Sequence, residues 1–414
     1  MTQKRTFLFL QGVCSPFFSR LADQLKRDGH QVYKINFNAG DWLYWSHSAT
    51  FNYQGLANTE HQTELRDFLD NTYQRLGITD QILFGDRRPV HRVAVSHGES
   101  CNVRTHVYEE GYFRPYWVTL EREGVNGHSL LPRDPDWFWE VGAQLIDTTP
   151  VDAFQTHFNC RAFHDVAYHL AGLLNPILFS NYQTHAPVIA PIEYIGYMRR
   201  LPLLRFCKTK DQAVIDHLIG STTPYYFLPL QLGSDAQIRD HSRFDDMVSV
   251  IEFVMESFAR YAPSASHLLI KNHPLDMWLV NYRKVIHQLS VRFDLLGRVD
   301  YIETGYIEPI LQNAQGTVTV NSTVGAVSLG FNCPTIALSD PIYNLPQLTF
   351  QGSLDAFWCE GSVPNQELFR RFRNTLLHTT QVNGGFYCAK GIELAVKNSL
   401  QALTSERSLL ESLL

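Results

Sequence analysis

FLFLQGVCSP, at residues 7–16, predicts a buried β-strand that leads through a short loop into an α-helix. Ser15 is a suitable helix N-cap and Pro16 fits the first helical position. Gly29 ends the amphipathic stretch that follows, and QVYKINF at residues 31–37 has the composition of a second strand. This order predicts an α/β fold with a doubly wound sheet. The glycine pattern GxGxxG of dinucleotide-binding domains is absent from the sequence.

Length and composition favour a globular protein of two domains. A chain of 414 residues exceeds the size at which one hydrophobic core stops growing, so we expect two domains with a cleft between them. The hydrophobic share of 44% and the charged share of 18% exclude a disordered chain. A net charge of -6 argues against nucleic acid as a partner. The seven cysteines include no CxxC pair, which indicates neither a disulfide framework nor a zinc module and fits a reducing compartment.

A second α/β pattern begins near residue 206, with predicted strands at residues 225–230, 267–270 and 316–320. We therefore expect an N-terminal domain at residues 1–205 with a helical insertion at about 136–205. A C-terminal domain is expected at residues 206–365, and residues 366–414 are expected to form helices that pack back across both domains. No signal peptide or membrane span is expected, because the apolar runs are short or interrupted by proline and polar residues.

An acidic pair lies in YEEGYFRPY, residues 108–116, at the predicted end of a strand. Catalytic groups of α/β folds often lie at strand ends, which makes Glu109 and Glu110 candidates. Neighbouring side chains of a strand point to opposite faces, so at most one of these carboxylates should face a cleft directly. An exposed strand end with solvated acids is the alternative.

Further candidates lie in the loop after the second strand, where ligands bind in open α/β sheets. Asp41 and the tryptophans beside it have the chemistry to hold a sugar, whereas a plain packed loop is the alternative. The candidate substrate-binding residues of the N-terminal domain are Asn38, Gly40, Asp41, Trp42 and Arg114.

Three predicted strands of the C-terminal domain end in polar groups suited to a phosphorylated ligand. Lys271 offers a fixed cation, and His273 a titratable donor that Pro274 holds extended. Ser322 and Thr323 precede a small apolar helix, whose N-terminal amides and dipole attract phosphate. The remaining candidates at these strand ends are Gln231, Asp235, Gln237 and Asn321. For Gln231, Asp235 and Gln237, capping of the following helix is the alternative to reading a sugar or base.

Residues 193–210 combine five cations and one acid with aromatic and aliphatic side chains. This composition suits an anionic membrane surface, and equally an ordinary amphipathic connector between domains. His157, His164 and His169 do not share one helical face, so we expect no metal site there.

Five motifs together resemble the capsule polysaccharide synthesis family, of the KpsS/LipB type. They are FLQG (9–12), NFNAGDW (36–42), EEGYFRP (109–115), Gln231-x-x-x-Asp235-x-Gln237 and KNHP (271–274). The resemblance covers roughly residues 5–360. It implies a GT-B glycosyltransferase, with two Rossmann-like domains facing a cleft, that uses CMP-β-Kdo. Such an enzyme places the first β-Kdo of a poly-Kdo linker on lyso-phosphatidylglycerol at the cytoplasmic membrane face.

This resemblance also implies partners and a location. CMP-Kdo is then the donor substrate, a phospholipid the acceptor, and other capsule biosynthesis and export proteins are further partners. No cofactor and no metal are expected, because a CMP-sugar carries one phosphate that a cation and a helix dipole can hold. The protein is expected in the cytoplasm or peripherally on the membrane.

The resemblance assigns roles to the acidic pair as well. The family is similar to bacterial sialyltransferases, whose D/E-D/E-G and HP motifs correspond to Glu109-Glu110-Gly111 and His273-Pro274. A β-linked donor and a β-linked product imply retention, hence two displacements with a carboxylate attacking the anomeric carbon first. Glu110 is the expected nucleophile or base, where related β-Kdo transferases usually carry Asp. Glu109 is the expected supporting acid and Asp235 the competing candidate.

Lys271, His273, Ser322 and Thr323 are expected to hold the departing CMP phosphate. Two other functions stay open at this point. One is a non-catalytic partner that binds lipid-linked glycan for the capsule export machinery. The other is a different sugar-nucleotide enzyme on the same fold, such as a non-hydrolysing epimerase.

Overall fold

The structure is a computed structural model that describes residues 4–45, 47, 49–55, 62–147, 151–183, 190–221, 223–232 and 243–414. The chain forms two compact units. The first unit comprises Met1–Leu131, Gln144–His185 and Asn374–Leu414, and the second comprises Pro132–Ala143 and Ala186–Arg373. The predicted α/β class and the organisation into two Rossmann-like units, which is that of GT-B proteins, are confirmed.

The strands of the described residues, numbered in chain order, are β1 (Thr6–Phe9), β2 (Gln31–Asn36), β3 (Thr50–Asn52), β4 (Asp80–Phe84), β5 (Arg104–Glu110), β6 (Trp117–Arg122), β7 (Tyr225–Pro229), β8 (His267–Lys271), β9 (Val299–Ile302), β10 (Gly316–Thr319), β11 (Thr335–Ala337) and β12 (Gln381–Asn383). The α-helices are α1 (Phe17–Arg27), α2 (Ala39–Leu43), α3 (Gln62–Leu76), α4 (Pro89–Ser100), α5 (Pro135–Gln144), α6 (Phe158–Gly172), α7 (Asn175–Leu178), α8 (Ala190–Gly220), α9 (Met247–Tyr261), α10 (Tyr282–Arg292), α11 (Ile307–Asn313), α12 (Thr323–Gly330), α13 (Leu354–Glu360), α14 (Gln366–Thr379), α15 (Ala389–Thr404) and α16 (Leu409–Leu413). A 3-10 turn covers Asn126–His128.

The sheet of the first unit has seven strands in the order β12-β6-β5-β4-β1-β2-β3. The apolar run at residues 7–10 is buried on both faces of the sheet, because Phe7 and Phe9 pack into one core cluster and Leu8 and Leu10 into another. Helices therefore cover both faces of the sheet, as a doubly wound fold requires. The strand order reverses between β1 and β4, which pair in parallel. This switch point is where ligands bind in such sheets.

The sheet of the second unit has five parallel strands in the order β11-β10-β7-β8-β9. Its central strand β7 is buried on both faces: Tyr226 and Leu228 join one core cluster, whereas Tyr225 and Phe227 join another. The order reverses between β7 and β10, so the second unit has a switch point of its own.

The unit boundaries differ from the predicted domain boundaries at residues 205 and 365. The predicted insertion at about 136–205 is divided between the units, because α8 belongs to the second unit from its start. Ile215 and Leu218 of α8 join the core of that unit, and Phe138 of α5 packs on Phe372 at 5.0 Å. Hydrophobic burial, rather than chain order, therefore sets the boundaries.

The last segment, residues 366–414, was predicted to be helical throughout. It contains β12, which pairs antiparallel with β6 and adds a seventh strand to the first sheet. The three residues of β12 are too few to show an alternating pattern in the sequence. Within the described ranges, every helix is too short or too polar to cross a bilayer.

Candidate active site

Glu109 and Glu110 are the last two residues of β5, opposite Thr119 and Val118 of β6. Their surroundings differ, as expected of neighbouring positions in a strand. The Oε2 atom of Glu109 lies 3.2 Å from the position that a Cβ on Gly85 would occupy, at the end of β4. Glu110 instead lines a cavity of about 260 Å³ in the first unit. Only one carboxylate of the pair thus lines this cavity.

Two side chains distant in sequence hold the Glu110 carboxylate. Nη1 of Arg161, on α6, lies 3.2 Å from its Oε1 atom, and the Tyr387 hydroxyl donates a hydrogen bond of 3.2 Å to the same oxygen. The Arg161 guanidinium also lies 5.1 Å from the centroid of the Tyr387 ring. A guanidinium and a phenol hydroxyl thereby fix the position of a half-buried carboxylate. A carboxylate held in this way can act as a nucleophile.

Glu109 has a different electrostatic environment. Burial raises its pKa to about 7, and the negative charge of Glu110 adds to the rise. The backbone N–H of Glu110 donates a 2.9 Å hydrogen bond to Oε1 of Glu109, and this hydrogen bond partly offsets the rise in pKa. A carboxyl group that titrates near neutral pH can give or take a proton during a reaction. The pair therefore combines a carboxylate held by two side chains with a carboxyl group that titrates near neutral pH.

Arg88 lies beside the switch point of the first unit. Its Nη1 atom donates a 3.1 Å hydrogen bond to the carbonyl oxygen of Gly12, in the loop after β1. Its guanidinium lies 5.4 Å from the ring centroid of Phe84, the last residue of β4. Arg88 thus links the two strand ends between which the sheet order reverses. Its positive charge also lowers the pKa of Glu109, although by less than burial raises it.

The predicted substrate loop forms the helix α2. Asn38 is its N-cap and accepts a 2.8 Å hydrogen bond from the backbone N–H of Asp41. Asp41 is buried and accepts hydrogen bonds from the Phe37 N–H at 3.1 Å and from the Tyr168 hydroxyl at 3.2 Å. A Cβ on Gly40 would lie 2.5 Å from the Tyr168 ring, so glycine permits this close packing.

These contacts favour the packed-segment alternative for Asn38, Gly40 and Asp41. Trp42 differs from them, because 52% of its side chain is exposed. Arg114 is exposed as well, and it lines the cavity beside Glu110. Trp42 and Arg114 are therefore the two predicted substrate contacts that stay accessible.

The predicted phosphate-binding residues of the second unit follow the neighbouring strands β10, β7 and β8. Gln231, after β7, and Asn321, after β10, form a reciprocal pair across the switch point. Nε2 of Gln231 donates to Oδ1 of Asn321 at 2.9 Å, and the Asn321 N–H donates to Oε1 of Gln231 at 3.2 Å. Asp235 and Gln237 lie outside the described residues.

Ser322 caps the helix that begins at Thr323. Its Oγ atom accepts a 3.2 Å hydrogen bond from the backbone N–H of Val324. The Tyr343 hydroxyl donates a 2.5 Å hydrogen bond to the Ser322 carbonyl oxygen. A Cβ on Gly325 would overlap that tyrosine, which explains the glycine in the first turn of α12. The positive end of the α12 dipole therefore lies beside the Asn321 side of the switch point.

Lys271 and His273 belong to a loop with defined geometry. Lys271 is buried at the end of β8, and burial followed by the charge of Arg200 lowers its pKa to about 8. Nδ1 of His273 accepts a 3.1 Å hydrogen bond from the Leu275 N–H, so the neutral ring carries its proton on Nε2. The His273 N–H donates a 2.8 Å hydrogen bond to Oδ1 of Asn272. Pro274 is exposed.

Arg200 of α8 positions this loop. Its Nη1 atom donates to the carbonyl oxygens of Pro274 at 2.8 Å and Asp276 at 2.9 Å, and Nη2 donates to that of His273 at 3.0 Å. Nη2 also forms a buried ion pair of 3.1 Å with Oε2 of Glu303. The same Glu303 oxygen accepts a 2.9 Å hydrogen bond from Asn272.

Sequence reasoning missed the roles of Arg200 and Arg161. Arg200 is one of the five cations of residues 193–210, a segment that the sequence analysis interprets as a membrane-binding surface or an amphipathic connector. Both arginines act on residues more than fifty positions away, 73 positions for the contact of Arg200 with His273. A contact at such a separation leaves no local pattern in one sequence.

Comparison with known proteins identifies relatives of the whole chain. The family model described as "Capsule polysaccharide biosynthesis protein" matches residues 79–387. The capsule polysaccharide export protein KpsS of Escherichia coli is 33% identical over 92% of this chain and 97% of its own length. The capsule polysaccharide modification protein LipB of Neisseria meningitidis serogroup B is 33% identical over 92% of this chain and 91% of its own length. These relatives confirm the resemblance that the motifs indicated.

Solved structures also align along most of the chain. The β-Kdo 2,7-transferase KpsC of Thermosulfurimonas dismutans covers 95% of this chain and 98% of its own, with 14% identity and a TM-score of 0.41. The UDP-GlcNAc 2-epimerase of Neisseria meningitidis covers 90% of this chain and 91% of its own, with 11% identity and a TM-score of 0.28. Overlaps of this size do not distinguish a transferase from an epimerase.

Proposed function

Because this chain belongs to the capsule polysaccharide biosynthesis protein family, we propose that it is a retaining glycosyltransferase that acts on CMP-β-Kdo. It adds the first β-Kdo of a poly-Kdo linker to lyso-phosphatidylglycerol. The main structural support for this proposal is the pair Glu109 and Glu110 at the end of β5. There Glu110 is held by Arg161 and Tyr387, and Glu109 next to it has a pKa of about 7.

The reaction proceeds through two displacements. In the first, a Glu110 oxygen attacks the anomeric carbon of Kdo, the bond from that carbon to the phosphate oxygen breaks, and CMP leaves with the electron pair. In the second, the acceptor hydroxyl attacks the same carbon and releases its proton to solvent. The ester bond to Glu110 then breaks and restores its carboxylate. Two inversions at one carbon give net retention.

The polar groups of the second unit take the CMP moiety. Lys271 supplies a positive charge, His273 an N–H donor, and the start of α12 its backbone amides, which suits one phosphate without a metal. The Gln231–Asn321 pair offers amide groups at the switch point for the sugar or the base. Arg200 keeps the Lys271–Asp276 loop in place.

A lipid acceptor requires contact with a membrane surface, and α8 presents a suitable face. Its exposed apolar side chains include Met198, with 75% exposure, and Phe206, with 80% exposure. Arg199 and Arg205 lie among them, also exposed. Exposed cations interleaved with apolar side chains bind anionic lipid headgroups and the acyl boundary below them. We place the protein peripherally on the cytoplasmic membrane face through this surface.

The decisive experiment incubates the purified chain with CMP-Kdo, generated in situ, and a fluorescent lyso-phosphatidylglycerol. The expected product carries one Kdo by mass and a β-linkage by NMR. CMP and UDP titrations accompany it: tight CMP binding with turnover is expected, whereas preferential UDP binding would indicate an epimerase. Absence of both turnover and nucleotide binding would leave the glycolipid-binding partner as the function.

The membrane contact has a separate test. Sedimentation with vesicles that contain phosphatidylglycerol should recover the protein, and vesicles of phosphatidylcholine alone should recover much less. Replacing Met198 and Phe206 with serine should abolish the difference. Equal recovery with both vesicle types would exclude an electrostatic contact through α8.

A further inference from the structure

A histidine, a cysteine and an aspartate meet on the helical side of the first unit, between α3 and α4. Nε2 of His97 lies 3.4 Å from Oδ1 of Asp70 and 3.5 Å from Sγ of Cys101. Sγ of Cys101 lies 3.8 Å from the same Asp70 oxygen. Among the described residues, this is the one group of three or more such side chains whose potential ligand atoms all lie within 4.8 Å of one another.

These three separations match one face of a zinc tetrahedron. Zinc binds carboxylate oxygen and imidazole nitrogen at about 2.0–2.2 Å and thiolate sulfur at about 2.3 Å. Tetrahedral angles then place oxygen and nitrogen about 3.3 Å apart, and sulfur about 3.5 Å from each of them. The observed separations of 3.4, 3.5 and 3.8 Å exceed these values by at most about 0.3 Å. Sγ of Cys101 also lies 3.9 Å from Nδ1 of His97, so the imidazole ring must turn to direct its Nε2 lone pair at an ion shared with the sulfur.

Neighbouring side chains orient two of the three ligands. The His97 ring stacks on Tyr73 with a centroid separation of 5.6 Å and an interplanar angle of 16°. The Tyr73 hydroxyl in turn donates a 2.7 Å hydrogen bond to Gln81 of β4. The second oxygen of Asp70, Oδ2, accepts a 2.8 Å hydrogen bond from Gln74, which leaves Oδ1 directed at the cluster. Support of this kind around ligands is typical of metal sites.

We propose that Asp70, His97 and Cys101 bind a tetrahedrally coordinated divalent transition-metal ion, in the first place Zn²⁺. Imidazole and thiolate ligands select zinc over magnesium and calcium. The Asp70 side chain is 42% exposed, so a water molecule can supply the fourth ligand. In the metal-free protein the thiol donates to Asp70, and ion binding replaces that proton. The ion ties α3 to α4 and takes no part in sugar transfer.

The test uses Co²⁺ as a spectroscopic probe on the full chain, because a cobalt–thiolate bond gives a charge-transfer absorption band. The unsubstituted protein should bind one equivalent with this band, and Zn²⁺ should displace it. Asp70→Asn and Cys101→Ser remove one ligand each, and Cys101→Ser should abolish the band. Affinity should fall by at least the roughly 10- to 100-fold that loss of an outer-shell partner costs.

Two controls make the result specific. Asp67→Asn changes an exposed carboxylate of the same helix, and Cys207→Ser changes another half-buried thiol. Both should bind Co²⁺ as the unsubstituted protein does, and Zn²⁺ should raise the unfolding temperature of both controls but of neither ligand variant. Circular dichroism before metal addition checks that each variant is folded. The proposal is wrong if the unsubstituted protein gives no thiolate band, or if both ligand variants keep its affinity.

Discussion

Nη1 of Arg161 lies 3.2 Å from Oε1 of Glu110, and the Tyr387 hydroxyl donates to that same oxygen. These contacts give two glutamates that are adjacent in sequence different electrostatic environments. Glu110 is paired with a cation, whereas Glu109 lies on the other side of the strand with its pKa raised by burial. Predictions about the chemistry therefore differ for the two residues.

Replacement of each glutamate should have a different effect on the reaction. Glu110→Gln removes the nucleophile, so we expect transfer to fall by at least about 100-fold with no covalent adduct. Glu109→Gln leaves the nucleophile in the cavity, so the Kdo adduct should still form and react with the acceptor. Intact-protein mass spectrometry after incubation with CMP-Kdo measures both outcomes. Full activity of Glu110→Gln, or an adduct mapped to Asp235, would move the nucleophile elsewhere.

The raised pKa of Glu109 should make stability depend on pH. The folded group titrates at about 7 and the ordinary value is 4.5, so the folded protein binds more protons between these values. This contribution to stability is complete below pH 4.5 and is lost as pH rises through 7. Glu109→Gln should remove it, so the variant gains stability relative to the parent on going from pH 4.5 to pH 8, by no more than about 3 kcal/mol. Denaturant unfolding across this range measures the difference, with Glu99→Gln as an exposed control. An unchanged difference would contradict the burial of Glu109.

Arg200 should be essential to the second unit. Arg200→Met leaves Glu303 buried without its cation and removes three hydrogen bonds to the Lys271–Asp276 loop, which should cost about 3–5 kcal/mol in free energy of unfolding. Arg199→Met, on the exposed side of the same helix, is the matched control and should leave stability nearly unchanged. Arg199→Met should instead weaken vesicle binding. Equal stabilities of the two variants would show that the Arg200 contacts are not important for folding.

Lys271 should make nucleotide binding depend on pH. Its pKa of about 8 means that the ammonium group loses its proton as pH rises from 7 to 9, so the affinity for CMP should fall over this interval. Lys271→Met should bind CMP roughly 10-fold or more weakly at pH 7, with a flatter pH profile. Isothermal titration calorimetry measures both effects, and Lys284→Met on the exposed side of α10 is the control. A parent affinity that stays constant from pH 7 to 9 would exclude Lys271 from the phosphate site.

Gly111 should tolerate no side chain. A Cβ at this position would lie 2.0 Å from the Trp117 carbonyl oxygen, so Gly111→Ala must displace β6 from the glutamate pair. We expect a loss of about 1–3 kcal/mol in stability together with a loss of activity. Gly172→Ala is the contrasting substitution at the end of α6, where the nearest atom is 3.6 Å away. That variant should be neutral or more stable by thermal unfolding, and a similar loss in both would contradict the steric explanation.

The strands and their ends were predictable from the sequence, because apolar runs such as residues 7–10 and 225–230 are buried on both faces and stop at polar residues. The same pattern predicted that Glu109, Lys271 and Ser322 lie at the ends of strands. The partners of these residues were not predictable. Arg161, Arg200 and Tyr387 reach them through tertiary packing, and a scan for CxxC pairs cannot find Cys101 beside His97 and Asp70, which come from two helices.

β12 has a consequence for biosynthesis of the protein. Residues 381–383 complete the sheet of the first unit, yet they follow the whole of the second unit in the chain. During translation, one edge of β6 therefore stays unpaired until more than two hundred and fifty further residues have been synthesised. An open strand edge is a template for pairing with other chains. Ribosome-bound intermediates that lack β12 should thus depend on chaperones more than the finished protein does.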